Sequence, residues 1–106
     1  YVENVVEANV RASLAEGVSG KVFNVGCGES LSLIDLLREI CKRLGVEYAP
    51  KFADARQGDV KHYWADISAA QQELGYEVKV GWREGLKPTI DYYAELARET
   101  VNCTAG

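Results

Sequence analysis

The chain has 106 residues, which fits a single domain spanning 1–106 with a core of its own. It is 47% apolar and 26% charged with a net charge of −4, the composition of a soluble globular protein. That charge excludes a global attraction to nucleic acid or anionic lipid, and no apolar run approaches the ~20 residues that cross a bilayer. The sequence also opens on no basic-then-apolar leader, so the expected compartment is the reducing cytoplasm.

The first predicted element is a helix over residues 1–16. Val2, Val5, Val6 and Val10 fall on one side, Leu14 extends the stripe, and Glu3, Glu7 and Arg11 fall elsewhere. Gly17 to Gly20 close it and turn the chain into a strand-like run, 21–25. Gly26-Cys27-Gly28 follows. Ser32 is a good N-cap, and Asp35 stands three residues on, as in a capping box with Asp for Glu. The clearest periodicity then runs through Leu33, Ile34, Leu36, Leu37, Ile40, Cys41 and Leu44, and Gly45 ends the helix.

Residues 46–53 read as a second strand interrupted by Pro50, which suits an edge or a strand end. A polar loop covers 54–59, and 60–65 reads as a short extended segment. Asp66 is placed to cap a short helix over 67–74, with Gly75 at its end. Residues 76–80 alternate like a short strand. The last helix is predicted from about 83 to 101, with Leu86, Ile90, Tyr93, Ala97 and Val101 as its stripe. Pro88 requires that helix to begin near it or to kink. Short strands alternating with amphipathic helices predict an α/β or α+β domain with a small sheet.

Gly26-Cys27-Gly28 between a strand-like run and a helix raises the question of a dinucleotide-binding turn. Such a turn needs G-x-G-x-x-G, a helix N-terminus facing the pyrophosphate and an acidic residue at the end of the next strand. Here Leu31 stands at the third glycine, Glu29 puts negative charge where the pyrophosphate would lie, and Glu47 opens the next strand-like run. The glycines are therefore read as permitting a tight turn, with no cofactor-binding residue assigned. Nor is there a Tyr-x-x-x-Lys pair. Tyr48 to Lys51 and Tyr76 to Lys79 are each one residue too short to share a helix face, so no catalytic residue is assigned.

Cys27, Cys41 and Cys103 are odd in number, form no C-x-x-C pair and have only His62 for company, so no metal site is assigned. Cys41, on the apolar face of its helix, is expected to pack in the core. Asn102-Cys103-Thr104 matches a glycosylation sequon and is read as chance without a secretory signal.

The segment "RQGDVKHYWADISAAQQELGY", 56–76, holds Arg56, Asp59 and Tyr63 within eight residues. The planar fork of Arg56 suits a diphosphate, the paired acceptors of Asp59 suit vicinal hydroxyls, and Gly58 lets the backbone turn between them. On composition alone a solvated loop with an Arg–Asp pair of small energetic value remains the alternative.

Four stretches together resemble the NAD-dependent epimerase/dehydratase family, the extended short-chain dehydrogenases acting on nucleotide sugars. "YVENVVEANVRA" is similar to the family's Y-V-[DE]-[DN]-V-V-x-A helix. "GKVFNVGCGESLSLIDLL" is similar to its G-x-x-F-N-[VI]-G-x-G-x-x-x-S-[LV] segment. The 56–76 stretch resembles R-x-G-D-V-x-x-x-x-A-D-[IV]-S-K-A-x-x-x-L-G-[YW]. "VGWREGLKPTIDYY" resembles the closing E-G-L-x-x-T-[IV]-x-[WY]-[YF] helix. The order is that of the family's C-terminal substrate-binding lobe, and the likeness is greatest to UDP-glucose and UDP-N-acetylglucosamine 4-epimerases. UDP-glucuronate decarboxylases and dTDP-glucose 4,6-dehydratases stay open.

The resemblance implies that Arg56 contacts the diphosphate of a UDP-sugar, Asp59 its ribose hydroxyls, and Tyr63 the sugar, the last being the least conserved in type. It implies helix capping for Asp66 and a structural polar contact for Asn4. The family's reaction uses NAD to take hydride from the sugar C4 and return it to the other face. NAD and Tyr-x-x-x-Lys belong to an N-terminal Rossmann domain that these residues do not contain. The expectation is thus a UDP-sugar-binding lobe that partners a Rossmann domain, in a homo-oligomer, and is inactive alone. A stand-alone binding module and an interaction domain on a decayed lobe are the alternatives.

Overall fold

The computed structural model describes residues 1–54, 57–58 and 64–104. Among them the regular elements are α1 (Val2–Leu14), α2 (Leu33–Leu44), α3 (Ser68–Leu74) and α4 (Trp82–Thr104). The helices appear where the apolar spacing puts them, and their ends follow local chemistry. Ser32 Oγ accepts from the Asp35 amide at 3.1 Å and donates to Asp35 Oδ2 at 2.7 Å, so the carboxylate holds the capping hydroxyl. Gly45 terminates α2 at φ 66°, a left-handed conformation that costs glycine little, and its amide reaches back to Cys41 and Lys42 carbonyls. The N-cap of α3 is Ile67, with no side-chain cap, rather than the expected Asp66; Asp66, one residue earlier, accepts the Ser68 amide through Oδ1 at 2.9 Å. α4 runs through Pro88 rather than starting at it.

The predicted α/β sheet is not formed. Among the described residues every regular element is helical, and 21–25, 46–53 and 76–80 have no regular structure and join no ladder. A strand requires a neighbour to receive its backbone groups, and strand-like side chains alone do not provide one. The Lys21 amide turns back to the Val18 carbonyl at 3.0 Å, and Val22 is 92% exposed. The Tyr76 amide closes α3 on the Ala70 carbonyl at 3.1 Å. Lys79 and Val80 amides are taken by the side chain of Asn4 at 3.2 and 3.1 Å.

The core is small and sits between α1 and α3. Ala8, Ile67, Ala70, Leu74 and Tyr76 are buried, with Ala12, Ala15, Val18, Phe23, Val25, Ala65 and Val78 packed against them. The face that α1 buries is therefore Asn4 and Ala8, and the valine stripe, with Leu14, is exposed. Small side chains let the two helices approach closely. α2 packs on α4 through its own face, where Cys41 is buried as expected. Gly85 brings the start of α4 onto Tyr1: a Cβ there would overlap the Tyr1 side chain, with Cγ at only 2.8 Å. No helix among the described residues is long and apolar enough to cross a membrane.

Candidate substrate-binding site

The three sequence-predicted contacts, Arg56, Asp59 and Tyr63, lie outside the described residues, as does His62. Trp64, Ala65, Asp66 and Ile67 run across the Gly26–Gly28 turn and lead into α3. Between them opens a cavity of about 390 Å³ bordered by Cys27, Gly28, Trp64, Asp66, Gln71 and Glu77. Trp64 is 60% exposed and gives this cleft an aromatic wall. The sequence reading passed over Trp64, although its place directly after Tyr63 in the Arg-Gln-Gly-Asp segment was a signal for it.

Two side chains at and beneath the cleft, Asp66 and Tyr76, have defined partners. Asp66 is held below its ordinary carboxylate range, first by the Ser68 hydroxyl and then by the Ser68 amide. Its charge is thus committed to the N-terminus of α3, where the helix dipole favours it. Tyr76 is 1% exposed, and its hydroxyl donates to the Gly26 carbonyl at 2.8 Å. Burial, with a smaller contribution from Cys27, pushes the Tyr76 phenol up, so it stays a neutral donor. This bond fastens the glycine turn to the core.

Asn4 is buried, as a structural residue should be. Its Nδ2 donates to the Val80 carbonyl at 2.7 Å while Oδ1 accepts the two amides at 79 and 80. The expected structural role is what the geometry gives, and it ties α1 to the segment entering α4. Close by, Glu7 Oε1 takes both Arg11 Nε at 2.9 Å and Lys79 Nζ at 3.1 Å.

The glycine turn does not fit a dinucleotide. Gly28 has φ +66°, and a Cβ there would meet Ile67 Cδ1 at 3.0 Å; one on Gly26 would meet Ala65 Cβ at 3.4 Å. Both glycines face the chain's own segment 65–67, so what approaches them closely is this segment. The next helix starts only at Leu33, its first turn already carrying Asp35. The turn holds the segment 65–67 across it. Among the described residues no three His, Cys, Asp or Glu side chains gather as a metal site would require.

No family model matches the chain. It is 34% identical over 97 residues to a trifunctional UDP-glucose 4,6-dehydratase/UDP-4-keto-6-deoxy-D-glucose 3,5-epimerase/UDP-4-keto-L-rhamnose-reductase of Arabidopsis thaliana, covering 90% of this chain and 14% of that protein. It is 33% identical over 93 residues to a UDP-glucose 4-epimerase of Mycolicibacterium smegmatis, covering 88% of this chain and 29% of the relative. Among solved structures it is similar to a mutant UDP-glucuronic acid 4-epimerase from Bacillus cereus in complex with UDP-4-deoxy-4-fluoro-glucuronic acid and NAD. There the TM-score is 0.80 at 30% identity, over 91% of this chain and 31% of that one. The chain thus spans between 14% and 31% of the length of these proteins. The resemblance stated from the four motifs is borne out.

Proposed function

We propose that this chain, homologous over about nine-tenths of its length to NAD-dependent nucleotide-sugar epimerases and dehydratases, is the UDP-sugar-binding portion of such an enzyme. The observation that carries the reading is the likeness, at TM-score 0.80 and 30% identity, to an epimerase solved with a UDP-sugar derivative. The open cleft beside Trp64 supports it, because Trp64, the residue after Tyr63 in the sequence, borders it.

In this reading Arg56 binds the diphosphate through two parallel N–H donors, Asp59 accepts from the ribose hydroxyls and Tyr63 faces the sugar. The chain contributes grip and orientation. The redox chemistry belongs to a cofactor held by residues other than these. The exposed valines of α1 are then the surface that a Rossmann domain covers in the complete enzyme, and the portion has no turnover alone. The dehydratase-bearing relative, at 34% identity, favours a second reading in which the enzyme removes water after oxidation at C4.

The test is an NMR titration of the 106-residue chain with UDP and, separately, uridine. Saturable shifts at Trp64–Ile67, with UDP binding more tightly than uridine, are expected. No perturbation by millimolar UDP would remove the proposal.

A further inference from the structure

Gly28 performs two tasks that no other residue type combines. Its φ of +66° turns the chain after the run 21–25, and its missing side chain leaves room for Ile67, whose Cδ1 would lie 3.0 Å from a Cβ. That second contact is tighter than ordinary packing, so a side chain at 28 requires Ile67 Cδ1 to give by a few tenths of an ångström. The surroundings of Ile67 oppose that shift. The residue is buried among Ala8, Ala70, Leu74 and Tyr76, and its carbonyl accepts the Gln71 amide at 3.0 Å as the first bond of α3. On the other side of the same crossing, Gly26 lies against Ala65, and its carbonyl is fixed by Tyr76. Ala65 and Ile67 are therefore held between the glycine turn and the core, and with the exposed Trp64 and Asp66 they form one wall of the cleft.

We propose that Gly28 is a positioning residue for nucleotide binding, acting through Ile67 on the wall Trp64–Ile67. The inference rests on the proposed UDP-sugar role of the cleft. A group held within a few tenths of an ångström by packing transmits a displacement, because close-packed interiors do not absorb it. A side chain at 28 moves Ile67, Ile67 moves the wall, and the nucleotide loses alignment with its donors.

The test separates this from a merely structural glycine. Asn is the side chain best tolerated at positive φ, so Gly28→Asn isolates the steric effect on Ile67. UDP affinity and thermal midpoint are measured by NMR titration and circular dichroism on the wild-type chain, Gly28→Asn, Ile67→Val and the double variant. Gly28→Asn should weaken UDP binding roughly tenfold, the scale of one weakened charge-assisted hydrogen bond. Ile67→Val removes the Cδ1 that the new side chain would strike. The double variant should recover most of the affinity, while its thermal midpoint remains below the wild type because a core methyl has gone. Affinity that follows the thermal midpoint through the series, or stays within twofold in Gly28→Asn while the Ile67 methyl resonance shifts, overturns the proposal. If the wild-type chain binds no UDP, the reading of the cleft itself fails and this inference falls with it.

Discussion

Asn4 illustrates how one side chain substitutes for a missing ladder. It is buried and saturates two amides and one carbonyl at 79 and 80 with three hydrogen bonds. Truncation would leave those backbone groups partly buried without partners, each costing about 1–3 kcal/mol. Asn4→Ala should therefore destabilise the fold by more than about 2 kcal/mol, read as a fall in the urea midpoint at unchanged slope. A loss under 0.5 kcal/mol (about the scale of an ordinary surface substitution) would show that water replaces all three bonds. The resemblance of "YVENVVEAN" to a family helix placed this polar residue correctly. Spacing alone did not, because an Asn among four valines reads as the solvent side. The proposed contacts Arg56, Asp59 and Tyr63 rest on the sequence alone, since they lie outside the described residues, whereas Trp64 becomes a candidate through its exposure in the cleft wall.

At the scale of elements, the helices were legible because each carries its own signals: a 3.6-residue apolar period, Ser32 or Asp66 at the start, Gly45 or Gly75 at the end. The strands were not, because a strand is completed by a partner that no local pattern reveals. Residues 21–25 and 76–80 have strand-like side chains, yet their described backbone hydrogen bonds go to a turn, a helix end and Asn4. Acid should loosen these joints in a defined direction. The Asp66 carboxyl is lowered chiefly by the Ser68 hydroxyl, and Glu7 by hydrogen bonds from Lys79 and then Arg11. A carboxyl lowered in the folded state contributes stability that is complete above its unfolded value, about 4, and is lost as pH falls through the folded value. Stability of the wild type should therefore be flat near neutrality and fall below about pH 4. Asp66→Asn should reduce that fall, measured as the difference in urea midpoint between neutral and acid solution. An equal fall in both proteins would remove Asp66 from the account.

For the whole molecule, the distribution of apolar surface matters more than its amount. The radius of gyration is 17.9 Å, against roughly 13 Å for a compact chain of this length. Val2, Val6 and Val10 on α1 and Tyr92, Tyr93 and Leu96 on α4 are exposed. The periodicity of these stripes was legible, but what they face was not, because an amphipathic pattern records that a face is buried without naming the body that buries it. Apolar patches beyond a few hundred Å² usually find a partner, so the isolated chain should self-associate at high concentration and bind an apolar dye. A clean monomer in sedimentation with no dye signal would count against a covered face. The central claim, nucleotide recognition through Arg56, has its most direct test in the UDP affinity of wild type, Arg56→Lys and Arg56→Ala. Hydrogen bonds to charged groups contribute about 1.5–3 kcal/mol, so Arg56→Ala should weaken binding by about 10- to 150-fold. Arg56→Lys should recover only part, since a point charge does not hold two oxygens in one plane. Unchanged affinity in Arg56→Ala, with the fold intact by circular dichroism, would contradict the account and leave the segment a solvated turn.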